Sequence, residues 1–405
     1  MIARRIVMHV ISRIGSGSLT VVEGDRETTF GSGAPSATVV VKSDQVWRKL
    51  LRGSRGMGDA YARGMWESPD VTAVIRVAAR NAQAMDNWRR RWSFVRVPFQ
   101  FVRNLFVSNT PRRSRKDIEA HYDLGNDMFE RMLDPTMMYS SAYFERPEMT
   151  LEEASIAKID LICEKLDLGP EDHVLEIGTG WGGFAIRAAS TRGCRVTTTT
   201  ISREQHDLAA QRIAKAGLDD LVSVRLDDYR ELDGRYDKLV SIEMIEAVGY
   251  KHFGTFFERC SELLEPHGAM LLQAIVHPDD AYEVEKASRS SFIRTYIFPH
   301  GCLPSLKVIG KCVRRRTNLR AIDLQDLTPH YASTLRTWRS NFTAAAGELK
   351  RRGYDERFQR LWELYLSYCE AGFAERRIAV VQQVFAKPGW SGEIPSRTTT
   401  ADTAS

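Results

Sequence analysis

A chain of 405 residues, 43% hydrophobic and 27% charged, has enough apolar material for one large domain and a smaller one. Its formal net charge of +5 is too weak a basic bias to imply nucleic acid, and no nucleic-acid partner is expected. Six scattered cysteines (Cys163, Cys194, Cys260, Cys302, Cys312 and Cys369) form no CxxC pair and no Cys/His ligand spacing, so a reduced cytoplasmic chain with no bound metal is expected.

Arg4 and Arg5 precede the apolar run Ile6 to Ile11, which is too short to span a bilayer and reads as an amphipathic first helix instead of a signal peptide. Residues 18–42 are β-like, with Leu19-Thr20-Val21-Val22 and Val39-Val40-Val41 separated by Gly and Ser turns. Residues 44–85 read as helices interrupted by the glycine-rich stretch Gly53 to Gly64. Together they form a small α+β N-terminal domain, residues 1–85. Residues 86–116 change character. Nine Arg or Lys with no acidic residue from Asn87 to Lys116 alternate with Trp88, Trp92, Phe94, Phe99, Phe101 and Phe106. Such a segment suits an anionic membrane surface, with a solvated linker as the plainer reading.

From about residue 150 short apolar strands alternate with helices. Strands are expected at His173–Ile177, Arg195–Thr199, Val222–Arg225, Lys238–Ile242 and Ala269–Ile275, which is the pattern of a doubly wound, mainly parallel sheet. A mainly helical stretch follows from 280 to 375, a lid insertion, and Ile378 to Phe385 is expected to return as an edge strand. The Ser/Thr-rich tail, 389–405, is expected to be disordered.

The strongest local signal is Val174-Leu175-Glu176-Ile177-Gly178-Thr179-Gly180-Trp181-Gly182-Gly183. A strand ends in glycines at alternate positions just before a helix, where backbone can approach a ligand at the sheet's C-terminal edge. The GxGxG spacing, with Glu176 before the first glycine, suits a nucleoside carrying an amino acid better than a pyrophosphate. Alone it could be only a tight turn. Two further elements recur at the expected intervals. Thr200, Ser202 and Gln205 open the helix after the second strand, where capping is the plain role for Ser202 and ligand contact for Gln205. Asp227, Asp228 and Tyr229 follow the third strand, placed to accept from an adenine amino group and to cover the base. The set points to S-adenosylmethionine.

His121-Tyr122-Asp123-Leu124-Gly125-Asn126-Asp127, Leu133-Asp134-Pro135 and Tyr139-Ser140-Ser141-Ala142-Tyr143-Phe144 resemble the cyclopropane-fatty-acyl-phospholipid synthase family. So do Glu243-Met244-Ile245-Glu246-Ala247-Val248-Gly249, Tyr296 to Ser305, the region Trp362–Phe385, and Gly58-Asp59-Ala60-Tyr61 with Gly64-Met65-Trp66-Glu67 in the N-terminal domain. The Glu-Met-Ile-Glu-Ala-Val-Gly form is most similar to actinobacterial members. The resemblance covers roughly residues 15–388. It implies a Rossmann-like class I methyltransferase domain at 117–388 and S-adenosylmethionine as methyl donor, with Tyr139 and Ser140 joining the cofactor set.

The implied substrate is the cis double bond of an unsaturated phospholipid acyl chain, reached by peripheral association with the inner membrane surface, and the product is a cyclopropane. A hydride shift before proton loss would give a methylene- or methyl-branched chain, with a reductase partner for the methylene product; a homodimer is left open. The family's bicarbonate, bound as base, would sit among Ser141, Glu246, Gln273, the Ile275 backbone and Tyr331. Ser141 and Gln273 depart from the usual Cys and His yet keep hydrogen-bonding capacity, so the anion site is expected to persist. Cys369 matches a position sometimes marked catalytic, although alkene methylation needs no thiolate. Tyr122, Tyr139, Tyr143, Tyr296 and Phe298 are candidate aromatic faces for a carbocation. The competing readings are a methyltransferase for a small soluble molecule, disfavoured by the large lid and the basic aromatic stretch, and a non-catalytic lipid-binding homologue.

Overall fold

The computed structural model describes residues 2–82, 125–287, 291–299 and 301–394. The basic aromatic segment 86–116, His121 to Leu124 (Tyr122 included), His300 and the tail beyond 394 lie outside the described residues.

Four strands build the small N-terminal sheet: β1 (Gly17–Glu23), β2 (Arg26–Ser32), β3 (Ser36–Val41) and β4 (Trp66–Glu67), in the order β2-β1-β3-β4. β1 runs antiparallel to β2 and parallel to β3. Alternation along β1 buries Leu19 and Val21 on one face. The helices are α1 (Ile2–Ile11), α2 (Val46–Leu50), α3 (Ser54–Ala62) and α4 (Val71–Arg80). The glycine-rich stretch is thus a helix and not an interruption. Its glycines serve close packing: a Cβ on Gly56 would meet the Lys49 carbonyl oxygen at 1.8 Å, and one on Gly58 the Phe292 ring at 2.3 Å.

The larger sheet holds β5 (His173–Ile177), β6 (Arg195–Thr199), β7 (Val222–Arg225), β8 (Tyr236–Ile242), β9 (Leu264–Val276), β10 (Arg320–Asp326) and β11 (Ala379–Ala386). Their order is β10-β11-β9-β8-β5-β6-β7, parallel from β9 to β7 and antiparallel at β11 and β10. The strand from 378 is therefore interior, and β10 is the edge. β10 escaped the sequence reading because Arg-Ala-Ile-Asp-Leu-Gln-Asp is mostly exposed and polar; its pairing with β11 makes it a strand.

The helices of this part are α5 (Asn126–Met132), α6 (Leu151–Lys165), α7 (Gly183–Arg192), α8 (Arg203–Lys215), α9 (Ile245–Val248), α10 (Phe253–Leu263), α11 (Asp279–Ala287), α12 (Phe292–Tyr296), α13 (Leu306–Arg316), α14 (Thr328–Ala344), α15 (Ala346–Arg351) and α16 (Glu356–Ala374). Thr150 and Glu153 form a capping box at α6. Beyond β11 the chain still packs, since Trp390 and Ile394 lie against the core cluster that includes Ala269, Leu271, Val384 and Ala386. The tail expected from Gly389 is therefore partly ordered.

The two parts are fastened through α16. Tyr61 donates to Glu363 at 2.8 Å, the Arg360 guanidinium lies 4.4 Å over the Tyr61 ring, and Thr72 donates to Glu370 at 3.2 Å. Arg76 and Arg80 both reach Glu375, at 2.7 and 2.6 Å. These contacts hold the N-terminal interior against the C-terminal side of the large sheet.

Candidate active site

The sheet reverses its winding between β5 and β8, and the crevice beyond their C-terminal ends is where a doubly wound sheet binds ligands. Gly178 and Gly180 there have φ of +107° and +52°, and the Gly178 and Thr179 amides both donate to the Thr199 carbonyl at 3.0 Å. A Cβ on Gly180 would meet no protein atom within 4 Å, so that face of the turn opens into the cavity. Gly182 is the left-handed cap of α7, beside Ala209 and off the cavity wall.

Glu176 is buried and accepts from Thr198 at 2.6 Å; burial pushes its carboxyl up to about 8. Thr200 donates to Gln205 at 2.8 Å, and both line the cavity. Ser202 instead caps α8, accepting from the Gln205 amide at 3.3 Å, and is not part of the wall. The cap role therefore replaces its assignment as a cofactor ligand. Asp227 and Asp228 line the cavity as paired carboxylates, with Arg225 at 2.7 Å and with Arg230 at 2.6 and 2.8 Å. Tyr229 joins them, its ring against Phe256 and its buried hydroxyl without a hydrogen bond among the described residues. Tyr139 and Ser140 form the opposite wall, Tyr139 bonded to the Tyr365 hydroxyl at 2.8 Å.

Two residues missed by the sequence reading organise the far end. Glu243, immediately after β8, has φ +49°, uncommon outside glycine. Its carboxylate is half-buried at the cavity wall and collects three donors: the Ser141 amide at 2.9 Å, the Gln273 side chain at 2.8 Å and the Tyr331 hydroxyl at 2.5 Å. Burial raises its pKa against the lowering pull of those donors. Lys158, in the middle of α6, is fully buried, donates to Ser140 at 2.8 Å, and is pushed down to about 8 by burial, with Glu243, Asp134 and Glu176 opposing. Its one sequence signal was a lysine on the apolar face formed by Ala154, Ser155, Ile159 and Ile162.

Glu246, on α9, lines the cavity and accepts from the Ile275 amide at 2.6 Å through one oxygen, while its other oxygen is buried with no hydrogen-bond partner among the described residues. Burial and the neighbouring Glu243 push it up to about 8.

This arrangement corrects the expected anion site. Of the five groups assigned to bicarbonate, Tyr331, Gln273 and the Ser141 amide already serve Glu243, and the Ile275 amide serves Glu246. The Ser141 hydroxyl donates to the Ala142 carbonyl at 3.1 Å. Ser141 and Gln273 are wholly buried behind Glu243 and do not reach the cavity wall. A further anion would find no free donor among the five and would sit against two carboxylates, so the residues present do not fit bicarbonate.

Of the expected aromatics, Tyr139 and Phe298 line the cavity, whereas Tyr143 packs on His330 and Tyr296 lies off the wall. Tyr365, Tyr368 and Phe373 from α16 complete it. Cys369 is also on the wall, its thiol pushed up to about 12 by burial and so neutral.

The cavity is continuous, about 1520 Å³, and extends from the glycine turn past Glu246 into the N-terminal part. There its wall is apolar: Ile6, Val10, Leu19, Val21, Val39 and Trp47 among others.

A family profile described as mycolic acid cyclopropane synthetase matches residues 109–383. The chain belongs to that family. It is 37% identical over 398 residues to the tuberculostearic acid methyltransferase UfaA1 of Mycobacterium tuberculosis, covering 96% of this chain and 91% of the relative. It is 36% identical over 368 residues to the cyclopropane-fatty-acyl-phospholipid synthase of Escherichia coli, with 88% and 89% covered. Among solved structures, the mycolic acid cyclopropane synthase CmaA1 complexed with SAH and CTAB superposes with a TM-score of 0.63 at 36% identity, covering 67% of this chain and 98% of that one. Family, fold and glycine turn agree: this is a Rossmann-like class I methyltransferase that uses S-adenosylmethionine.

Proposed function

We propose that the chain transfers the methyl group of S-adenosylmethionine to the cis double bond of an unsaturated phospholipid acyl chain. The observation that carries this is the cavity itself, which leads from the cofactor turn into a long apolar arm inside the N-terminal part. A small soluble substrate gives no reason for that arm, whereas an acyl chain fills it. Among the described residues no helix is long and apolar enough to cross a membrane, and the basic aromatic segment supports reaching the lipid from the surface.

S-Adenosylmethionine supplies an electrophilic methyl group when bound. The alkene π electrons form the new carbon–carbon bond as the carbon–sulfur bond breaks, and S-adenosylhomocysteine leaves. The protein's part is to hold a weak nucleophile in line within a dry pocket. Tyr139, Phe298, Tyr365 and Phe373 line the cavity as the aromatic groups that can stabilise the positive charge left on the chain. Glu246 carries the unsatisfied acceptor oxygen that can take the departing proton.

Proton loss from the new methyl closes a cyclopropane. A hydride shift before proton loss gives a methylene branch, which a hydride and a proton supplied with a reductase partner convert to a methyl branch. This second product is favoured by the match to a tuberculostearic acid methyltransferase over 96% of the chain. The test incubates purified protein with vesicles of monounsaturated phospholipid and methyl-deuterated S-adenosylmethionine, followed by mass spectrometry of the released fatty acids before and after mild hydrogenation. Label in the acyl chain is the expected result, and an unlabelled chain beside an active control enzyme refutes the reading. Uptake of hydrogen by the labelled product separates a methylene from a ring.

A further inference from the structure

Glu243 is unusual twice over. Its backbone adopts a conformation that glycine reaches freely and that other residues reach only at a cost. Its carboxylate then occupies the space enclosed by the Ser141 amide, the Gln273 amide group and the Tyr331 hydroxyl, where an anion would otherwise find its donors. Both Glu243 oxygens are engaged, one by Ser141 and Gln273 and the other by Tyr331. Glu246 stands next to it on the cavity wall, with one oxygen held by the Ile275 amide and the other without a hydrogen-bond partner among the described residues.

We propose that Glu243 is a built-in substitute for a bound anion, fixing the charge and the donors of the pocket so that Glu246 itself is the proton acceptor and turnover needs no bicarbonate. The inference rests on the methyl transfer proposed above. In the step concerned, a carbon–hydrogen bond of the methylated chain breaks and its electron pair closes the ring or the new double bond. The proton goes to the free oxygen of Glu246 and leaves to water when product departs. No oxidant or further reactant enters. Glu243 is a positioning residue in this scheme: Gln273 also accepts from Gln382 at 3.0 Å, so the donors reaching Glu243 are fixed from behind.

The test follows release of S-adenosylhomocysteine and the labelled acyl product from unsaturated phospholipid vesicles, in buffer stripped of carbon dioxide under argon and again with bicarbonate restored. The parent chain should turn over at the same rate in both, within about twofold. Glu243→Gly keeps the backbone conformation and leaves an anion-sized gap lined by the same donors. It should lose at least about tenfold in stripped buffer and recover when bicarbonate, formate or acetate is added. Glu243→Gln fills the gap without charge and should be slow and not rescued by any of the three. Unchanged S-adenosylmethionine affinity by calorimetry shows that each variant is folded. A parent rate that collapses on stripping and returns with bicarbonate overturns the inference alone, as does Glu243→Gly at full speed in stripped buffer. A parent that transfers no methyl group to any unsaturated lipid overturns the proposed function, and this inference with it.

Discussion

Removing one oxygen atom, in Tyr331→Phe, isolates what the buried network contributes to turnover. The ring should stay in place, because it stacks on Phe373 with centroids 4.3 Å apart and meets Trp338 edge-on at 6.1 Å. What is lost is one donor to the Glu243 carboxylate, at 2.5 Å. A hydrogen bond to a charged group contributes roughly 1.5–3 kcal/mol, so kcat should fall by about 10- to 150-fold if that charge must be held through the reaction. The missing donor also moves the Glu243 carboxyl further up, because a hydrogen bond to the charged form had been lowering it. A higher pH is then needed to ionise the pair, and the rising limb of the rate profile should shift to higher pH. S-Adenosylmethionine affinity should not change, since Tyr331 serves Glu243 and not the glycine turn. Single-turnover rates across pH, paired with calorimetric binding, are the assay. A variant within about threefold of the parent rate at every pH would refute the reasoning.

Glu246→Gln should abolish turnover while sparing cofactor binding, read by the same pair of measurements. The parent's stability should also respond to this group. Its folded pKa is raised from 4.5 to about 8, so its contribution is full below the ordinary carboxylate range and is lost as pH rises through about 8. The Gln variant should therefore show a flatter fall of Tm between those limits. Gly180→Val should block S-adenosylmethionine binding, because the added side chain enters open cavity and not protein; with no clash, only strain at φ +52° should lower Tm, by about a few degrees. Val21→Trp should fill the apolar arm and shift product toward shorter acyl chains in mixed vesicles, with an unchanged chain-length profile counting against the arm as the acyl site. Vesicle binding should require anionic lipid and weaken with salt. Replacing Arg89, Arg90 and Arg91 by Ala should cost about 1 kcal/mol per charge, and equal binding to neutral vesicles would favour the plain linker.

Local signals carried the cofactor half of this protein. The strand His173–Ile177 and its glycines are read from a short stretch because tight turns, apolar runs and capping residues act over a few neighbours. The same locality misled where one residue type serves two ends. Ser202 looks the same whether it caps a helix or meets a ribose, and Gly56 and Gly58 look like breakers until Lys49 and Phe292 are brought against them.

The proton-transfer end was decided only by the tertiary structure. Its three donors to Glu243 come from positions 141, 273 and 331, on a loop, a strand and a helix, so nothing in the stretch around Glu243 announces that its carboxylate fills the pocket. Lys158 likewise reads as an ordinary helix lysine until the fold closes over it. β10 becomes a strand only because β11 offers it a partner. Sequence determines contacts a few residues apart, whereas burial and charge pairing are set by which distant segments the fold presses together, and in this protein that pressing places one carboxylate among three donors and gives its neighbour a single one.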